Sequence, residues 1–423
     1  MRGHRDKFSL VAEAELTLEH VQAARARLSG RVLSTPCPLS TRLSERAGIS
    51  VYLKLESHQP TGSFKERGAC NRLQLLSDVE RAQGVIAASA GNHAQAVARH
   101  AAALGIAATV VMPQTTPLVK VAAARRLGAE VVLVGSSYDE AADHAQALVR
   151  ERGLTLIHPF DDLEVMAGQG TVALEIFEQV PEVDALVVPV GGGGLVAGVA
   201  TVAKAVAPRV RVYGVESRSF PGMKRAVEQS SPPEILGGKS IADGIAVRRV
   251  GALARTAVKK HVDAILLVDE EEIAEAILLL LEGDKTVAEG AGAVGVAALV
   301  HERIPAGARS LVIIVSGGNI DVNLMSRIIE RGLVQTGRVA RFLVVLPDIA
   351  GALADLTAVV AELNANILRI EHDRAFAGVE LGQTLVELVL ETRGPEHVAE
   401  VRTRLRQRFS LHPPRGVEPP SAP

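Results

Sequence analysis

Residues 85–112 read VIAASAGNHAQAVARHAAALGIAATVVM, and the reading of this stretch decides the fold. Val85–Ser89 is a short apolar run of strand length. Ala94–Leu104 has helical character and stops at Gly105, the residue type expected just past a helix C-terminus. Thr109–Met112 is a second, β-branched run. Strand, helix and strand in so short a span make a βαβ unit, whose strands are parallel and whose crossover is right-handed.

Working outward, the alternation continues. Leu118–Leu127 predicts a helix stopped by Gly128, Glu130–Val134 a strand, Tyr138–Arg152 a helix stopped by Gly153, and Thr155–Pro159 a strand. Leu186–Val190 predicts a strand, followed by a glycine turn, a helix to about Ala207 and the strand Val210–Glu216. Ser217–Val250, with Pro221, Pro232, Pro233, Gly237 and Gly238, reads as loop. Strands Ile265–Val268 and Ser310–Val315 are separated by helices Glu270–Glu282 and Ala291–His301. The expectation is a doubly wound α/β region over residues 15–335. That is too long for one core, so two lobes are predicted, the smaller (about 56–152) inserted in the larger.

The pattern changes after Thr336. Strand Arg341–Leu346, helix Gly351–Leu363, strands Ile367–His372 and Gln383–Glu391, and helix Glu396–Gln407 predict a small α+β sandwich over residues 336–411. Residues 1–14 are expected to be flexible. Residues 412–423 contain the Pro-rich PPRGVEPPSAP and are expected to be disordered.

Composition narrows the function. Apolar residues make up 48% and aromatics 3%, with no Trp, so the core is built from Ala, Val, Leu and Ile, as suits a covered parallel sheet. The net charge of −2 and the absence of a basic block speak against nucleic-acid binding. Cys37 and Cys70 stand alone, which argues against a disulfide framework or a zinc site and for a reducing cytoplasm. The charged N-terminus has no apolar signal segment. Ala185–Ala203 lacks charge and is long enough to span a bilayer. Pro189 and four central glycines make it strand, turn and helix instead, so no membrane is expected.

Four motifs fall where strands end or helices begin, the ligand edge of an open α/β sheet. Ser63-Phe64-Lys65-Glu66 has capping-box spacing, which predicts Ser63 as N-cap and Lys65 in the first turn. The positive end of a helix depresses an amine pKa there and favours the neutral nucleophile of Schiff-base chemistry. Ser89-Ala90-Gly91-Asn92-His93 brings backbone N–H groups and the Asn92 amide to an anion or an oxygen, with His93 read as structural. Gly191-Gly192-Gly193-Gly194-Leu195 clears side chains from a strand-to-helix turn, so that successive amides point at one phosphate. It lacks the lysine of a nucleotide P-loop and the spacing of a dinucleotide site. Ser316-Gly317-Gly318-Asn319 adds a hydroxyl at the same edge.

With these motifs in this order, residues 15 to 330 resemble the threonine dehydratases, fold type II pyridoxal-phosphate enzymes related to tryptophan synthase β. The resemblance rests on Pro60–Ala69, Ala88–Ala94, Gly191–Leu195 and Ser316–Asn319. It implies that Lys65 holds pyridoxal 5'-phosphate as a Schiff base and later takes the substrate's α-proton. Phe64 would lie against the cofactor ring and Asn92 would meet its ring oxygen. Gly191, Gly192, Gly193, Gly194 and Leu195 would hold the phosphate, and Ser316 would face the ring nitrogen. Ser89, Ala90, Gly91, Asn92 and His93 would hold the substrate carboxylate. A hydroxyl at the ring nitrogen does not keep that nitrogen protonated, which favours elimination over transamination. The implied reaction is dehydration and deamination of a small hydroxy amino acid, L-threonine first and L-serine second.

Serine racemases resemble the chain closely but carry a serine at the position of Ala90. Their divalent-ion site lies after the strand that ends here at Glu216, where the second acidic position falls on Gly222, so Glu216 is a weak metal candidate. Cysteine synthase and tryptophan synthase β share the fold, but the residues around Lys65 resemble the dehydratase pattern more closely. A non-catalytic amino-acid sensor would be expected to lose at least one of Lys65, Asn92, the glycine turn and Ser316, and all are intact. The C-terminal sandwich resembles an ACT domain, a ferredoxin-like regulatory module that binds amino acids and often pairs between subunits. Pro347–Leu353 would be its effector turn, with Ala350 where a proline is common. The resemblance implies a homo-oligomer, a tetramer by preference.

Overall fold

The computed structural model describes residues 15–229, 238–374 and 378–412. The N-terminal fourteen residues and Pro413–Pro423 lie outside the described residues, as do Pro232, Pro233 and Gly237. The chain divides into two compact units, Met1–Leu324 and Met325–Pro423.

The short apolar runs form strands. Those described are β1 Ser50–Leu55, β2 Val85–Ala88, β3 Ala108–Met112, β4 Glu130–Leu133, β5 Thr155–Leu156, β6 Ala185–Pro189, β7 Arg211–Ser217, β8 Ala264–Val268, β9 Ser310–Val315, β10 Val339–Pro347, β11 Asn366–Asp373, β12 Gln383–Glu391 and β13 Ser410–His412. The first unit holds two parallel sheets, β1-β9-β6-β7-β8 and β4-β3-β2-β5. It is the expected two-lobed, doubly wound α/β architecture. The central strands do not alternate between buried and exposed residues: β6 and β2 are buried at every position, as strands covered on both faces must be. The charge-free stretch Ala185–Ala203 is β6, a turn and the helix Gly194–Val206, and no described helix is long and apolar enough to cross a membrane.

Several features depart from expectation, among them β1 and the helices Leu18–Leu28, Thr41–Ala47, Asp78–Gln83 and Ala252–His261, for which the sequence pattern predicts no element. Residues 217–250 are not all loop: Gly222–Glu228 is a helix and Asp243–Ile245 a 3-10 turn. The sequence pattern also gives no sign of Leu163–Gln179, a helix with eleven of its seventeen residues buried. With so much of its surface buried, its polar stripe is narrow and its amphipathic signature weak.

That helix positions the site. It meets the helix Lys65–Gln74 backbone to backbone: a Cβ on Gly168 would lie 2.6 Å from the Arg67 carbonyl oxygen and 2.7 Å from Gly68 Cα. It also meets the helix Gly194–Val206, where a Cβ on Gly198 would lie 2.4 Å from the Met166 carbonyl oxygen. A buried ion network ties the first contact to β1. Arg67 donates to Glu56 at 2.7 Å and to Glu175 at 2.6 Å, and Lys54 donates to Glu175 at 2.6 Å. Removing one partner of such a network costs about 3–5 kcal/mol, because it strands a buried charge.

The second unit is an antiparallel sheet, β11-β12-β10-β13, with helices Ala352–Glu362 and Pro395–Arg408. The βαββα order is as expected, and β13 adds a fourth strand. Phe342, Val344, Leu356, Val386, Leu388, Val401 and Leu405 belong to its own core.

Candidate active site

All four motifs leave the carboxyl ends of parallel strands. The loop after β1 leads to Lys65, the turn after β6 holds the glycines, and Ser316–Asn319 follows β9, which lies between β1 and β6. Ser89–His93 follows β2 of the smaller sheet.

The lysine loop and the Ser316 loop are zipped together. Phe64 N–H donates to the Ser316 carbonyl at 3.0 Å, Gly318 N–H to the Gly62 carbonyl at 2.9 Å, and Ser63 and Gly317 form a bridge. Lys65 is the first residue of its helix. The capping box does not form: Phe64 is the N-cap, and the Glu66 carboxylate turns to His100 at 2.6 Å and Arg99 at 3.0 Å. The Ser63 hydroxyl is left buried without a partner. Burial lowers the Lys65 amine to about 8, and the nearby Glu289 carboxylate opposes the shift. Its Nζ donates to the Pro159 carbonyl at 2.7 Å and lies 5.1 Å from the centroid of the Phe64 ring.

Pro159 leads to the glycine turn. A Cβ on Gly192 would lie 2.2 Å from the Phe160 ring, and one on Gly194 would lie 2.7 Å from the Phe160 carbonyl oxygen. Gly193, at φ +98°, is the N-cap of the following helix, and no side chain caps that end. The first amides of the helix therefore face the turn uncapped, an arrangement suited to a phosphate. Leu195 lies in this first turn and is buried.

On the other side, Asn92 opens the helix Asn92–Ala103, with Gly91 as N-cap. Its Nδ2 donates to Glu289 Oε1 at 2.8 Å, and its Oδ1 accepts from Asn319 Nδ2 at 2.8 Å. Ser89 Oγ accepts from the Gly91 N–H at 3.2 Å, which shapes the loop that also holds Ala90. His93 is buried, with Nε2 2.8 Å from the Ile157 carbonyl oxygen, and burial pushes it down to about 3. It is neutral, so Nε2 is the donor. Ser316 is buried at the end of β9.

Glu289 belongs to no sequence motif, yet the structure brings it into the site. It is buried, and desolvation pushes its carboxyl up to about 7, with Asp243 adding to the rise and Asn92 opposing it. One signal points to it: Glu289 is the sole charged residue between Lys285 and His301. Glu216, the weak metal candidate, lies in β7 and is buried. Its carboxylate accepts from the backbone N–H groups of Met223 at 2.7 Å and Lys224 at 2.9 Å. Among the described residues no cluster of His, Cys, Asp and Glu could hold a metal ion.

Comparisons with known proteins identify the family. Residues 28–317 match the family described as pyridoxal-phosphate dependent enzyme, and residues 340–407 match the ACT domain. The chain is 47% identical over 386 residues to an L-threonine ammonia-lyase of Thermotoga maritima, covering 91% of this chain and 96% of that one. Among solved structures it resembles the processed form of threonine deaminase isoform 2 from Solanum lycopersicum, with a TM-score of 0.71 and 36% identity over 78% of this chain and 90% of that one. It also resembles maize serine racemase, with a TM-score of 0.71 and 32% identity over 76% of this chain and 99% of that one.

Proposed function

The chain belongs to the pyridoxal-phosphate dependent enzyme family and carries an ACT domain, and from that premise we propose that it deaminates L-threonine to 2-oxobutanoate and ammonia. L-Serine is the second substrate. The observation that carries the reading is an open ring of contacts around Lys65, in two arms from the lysine loop. One runs from the Lys65 amine through Pro159 and Phe160 to the glycine turn, and the other through Ser316 and Asn319 to Asn92. The names of the relatives point the same way.

The ring fits pyridoxal phosphate. The turn has no room for a Cβ at Gly192, its helix end is uncapped, and a buried hydroxyl at Ser63 lacks a partner beside the lysine. When bound, the cofactor supplies an electron-withdrawing ring that acidifies the α-proton of a linked amino acid. Lys65 would hold that group covalently, and its free Nζ would take the α-proton of the substrate. The amides of Gly191 to Leu195 would hold the phosphate, Phe64 would lie against the ring, Asn92 would donate to the ring oxygen and Ser316 would face the ring nitrogen. Ser89–His93 holds the substrate carboxylate. Loss of the α-proton and the β-hydroxyl removes water, and hydrolysis of the released enamine yields the 2-oxo acid and ammonia.

A racemase needs a proton donor on the opposite face of the substrate. Ala90 supplies none, so elimination is the main reaction and racemisation at most a side reaction. The ACT domain binds an amino-acid effector at the turn Pro347–Leu353, where Ile349 is exposed and Gly351 takes φ +95°. The assembly is a homo-oligomer, a tetramer by preference, in the cytoplasm.

The test is product analysis of the purified, pyridoxal-phosphate-loaded protein given L-threonine or L-serine. Equal amounts of 2-oxo acid and ammonia, with little D-amino acid, support the reading. A loaded protein that forms D-serine but no oxo acid makes it a racemase, and one that forms neither product from either substrate overturns the lyase reading.

A further inference from the structure

The amide of Asn92 is held at both ends, and the direction of every hydrogen bond in the chain is forced. The Thr61 carbonyl can only accept, so Asn319 must turn its Nδ2 toward it, at 2.7 Å. The same Nδ2 reaches Asn92 at 2.8 Å, where it requires an acceptor and so fixes Oδ1 on that side. Asn92 Nδ2 is thereby directed to Glu289 Oε1, at 2.8 Å.

Glu289 is placed for this and for little else. It is the N-cap of the helix Gly290–Val300, a position that favours Ser, Thr, Asp or Asn over the longer glutamate. Here the side chain makes no cap hydrogen bond and points into the site instead. Its backbone N–H donates to the Gly317 carbonyl at 3.0 Å, which ties it to the Ser316 loop. A Cβ on Gly317 would lie 2.5 Å from Glu289 Oε1, so the missing side chain makes room for the carboxylate.

We propose that Glu289 is a positioning residue: its carboxylate oxygen, together with Asn319 on the other side, holds the Asn92 amide with the nitrogen, rather than the oxygen, available to the cofactor site. An amide nitrogen has two hydrogens. One goes to Glu289, and the other remains for the ring oxygen of pyridoxal phosphate. The inference rests on the proposed role of Asn92 and deepens it. It requires an acceptor at this point, not a charge.

The experiment compares three variants of the full-length, pyridoxal-phosphate-loaded protein. Glu289→Gln keeps an acceptor without charge, Glu289→Asp keeps the charge but withdraws the acceptor, and Glu289→Ala removes both. The readouts are the visible absorption spectrum of the bound cofactor, its dissociation constant and kcat/KM for L-threonine. Glu289→Gln is expected to keep the wild-type spectrum and bind the cofactor within a few-fold of wild type. Glu289→Asp and Glu289→Ala are expected to shift the spectrum and lose about 10- to 100-fold in cofactor affinity and kcat/KM, as when a supporting hydrogen bond is removed behind a ligand-binding group. If Glu289→Ala fails to fold, the order of Gln and Asp still decides. Asp closer to wild type than Gln, or all variants alike, overturns the inference. A wild-type protein that takes up no pyridoxal phosphate overturns the functional reading itself.

Discussion

Lys65 is legible in the sequence because its motif is local, and its surroundings are not because they come from far along the chain. The Pro60–Ala69 motif marks the lysine, but the carbonyl it meets belongs to Pro159 and the carboxylate near it to Glu289. The expected capping box fails for the same reason, since Glu66 finds His100 and Arg99 on another helix. The depressed amine has consequences that can be measured. With a folded-state pKa of about 8 against 10.5 for the free side chain, the unfolded chain binds more protons between those values. Stability of the cofactor-free protein therefore gains from Lys65 as pH rises across that window. Neutral amine is also the form that attacks a carbonyl, so the rate of cofactor uptake should rise with pH and level off above about 8. Stopped-flow absorbance checks this, and a flat profile from about pH 6 to 9 contradicts it. At Ala90 the expectation is one of direction: Ala90→Ser should increase D-serine formed from L-serine, read by chiral chromatography, while oxo-acid release persists.

Among the elements, strands and amphipathic helices are readable from their periods, and the helix Leu163–Gln179 is not. Burial of eleven of its seventeen residues narrows the polar stripe, and Gly168 and Gly170 lower helix propensity. The close approach at Gly168 is what brings this helix against the Lys65 helix, near the residues that meet the glycine-turn helix. Gly168→Val should therefore destabilise the protein by about 3 kcal/mol through overpacking against Arg67 and Gly68. Chemical denaturation measures this, and an unchanged midpoint would show that the contact yields. The glycine turn makes a separate prediction. A Cβ at Gly192 collides with the Phe160 ring, so Gly192→Ala should bind pyridoxal phosphate at least about tenfold more weakly, by equilibrium dialysis.

On the scale of the molecule, the βα alternation and the change in pattern near Thr336 foretell a doubly wound part and a small sandwich. What the sequence does not disclose is how the ends of β1, β9 and β6 come together, because strand order is set by long-range pairing rather than by any local signal. The second unit has a core of its own. Residues 338–412 expressed alone should accordingly unfold in a cooperative thermal transition by circular dichroism, and a chain without one would show that this core needs further support. The central claim is that Lys65 carries the cofactor within the ring of loops. Its most direct test is borohydride reduction of the loaded protein, followed by peptide mass mapping. The predicted result is a phosphopyridoxyl group on Lys65, absent in Lys65→Ala, and a label on another lysine or on none would contradict it.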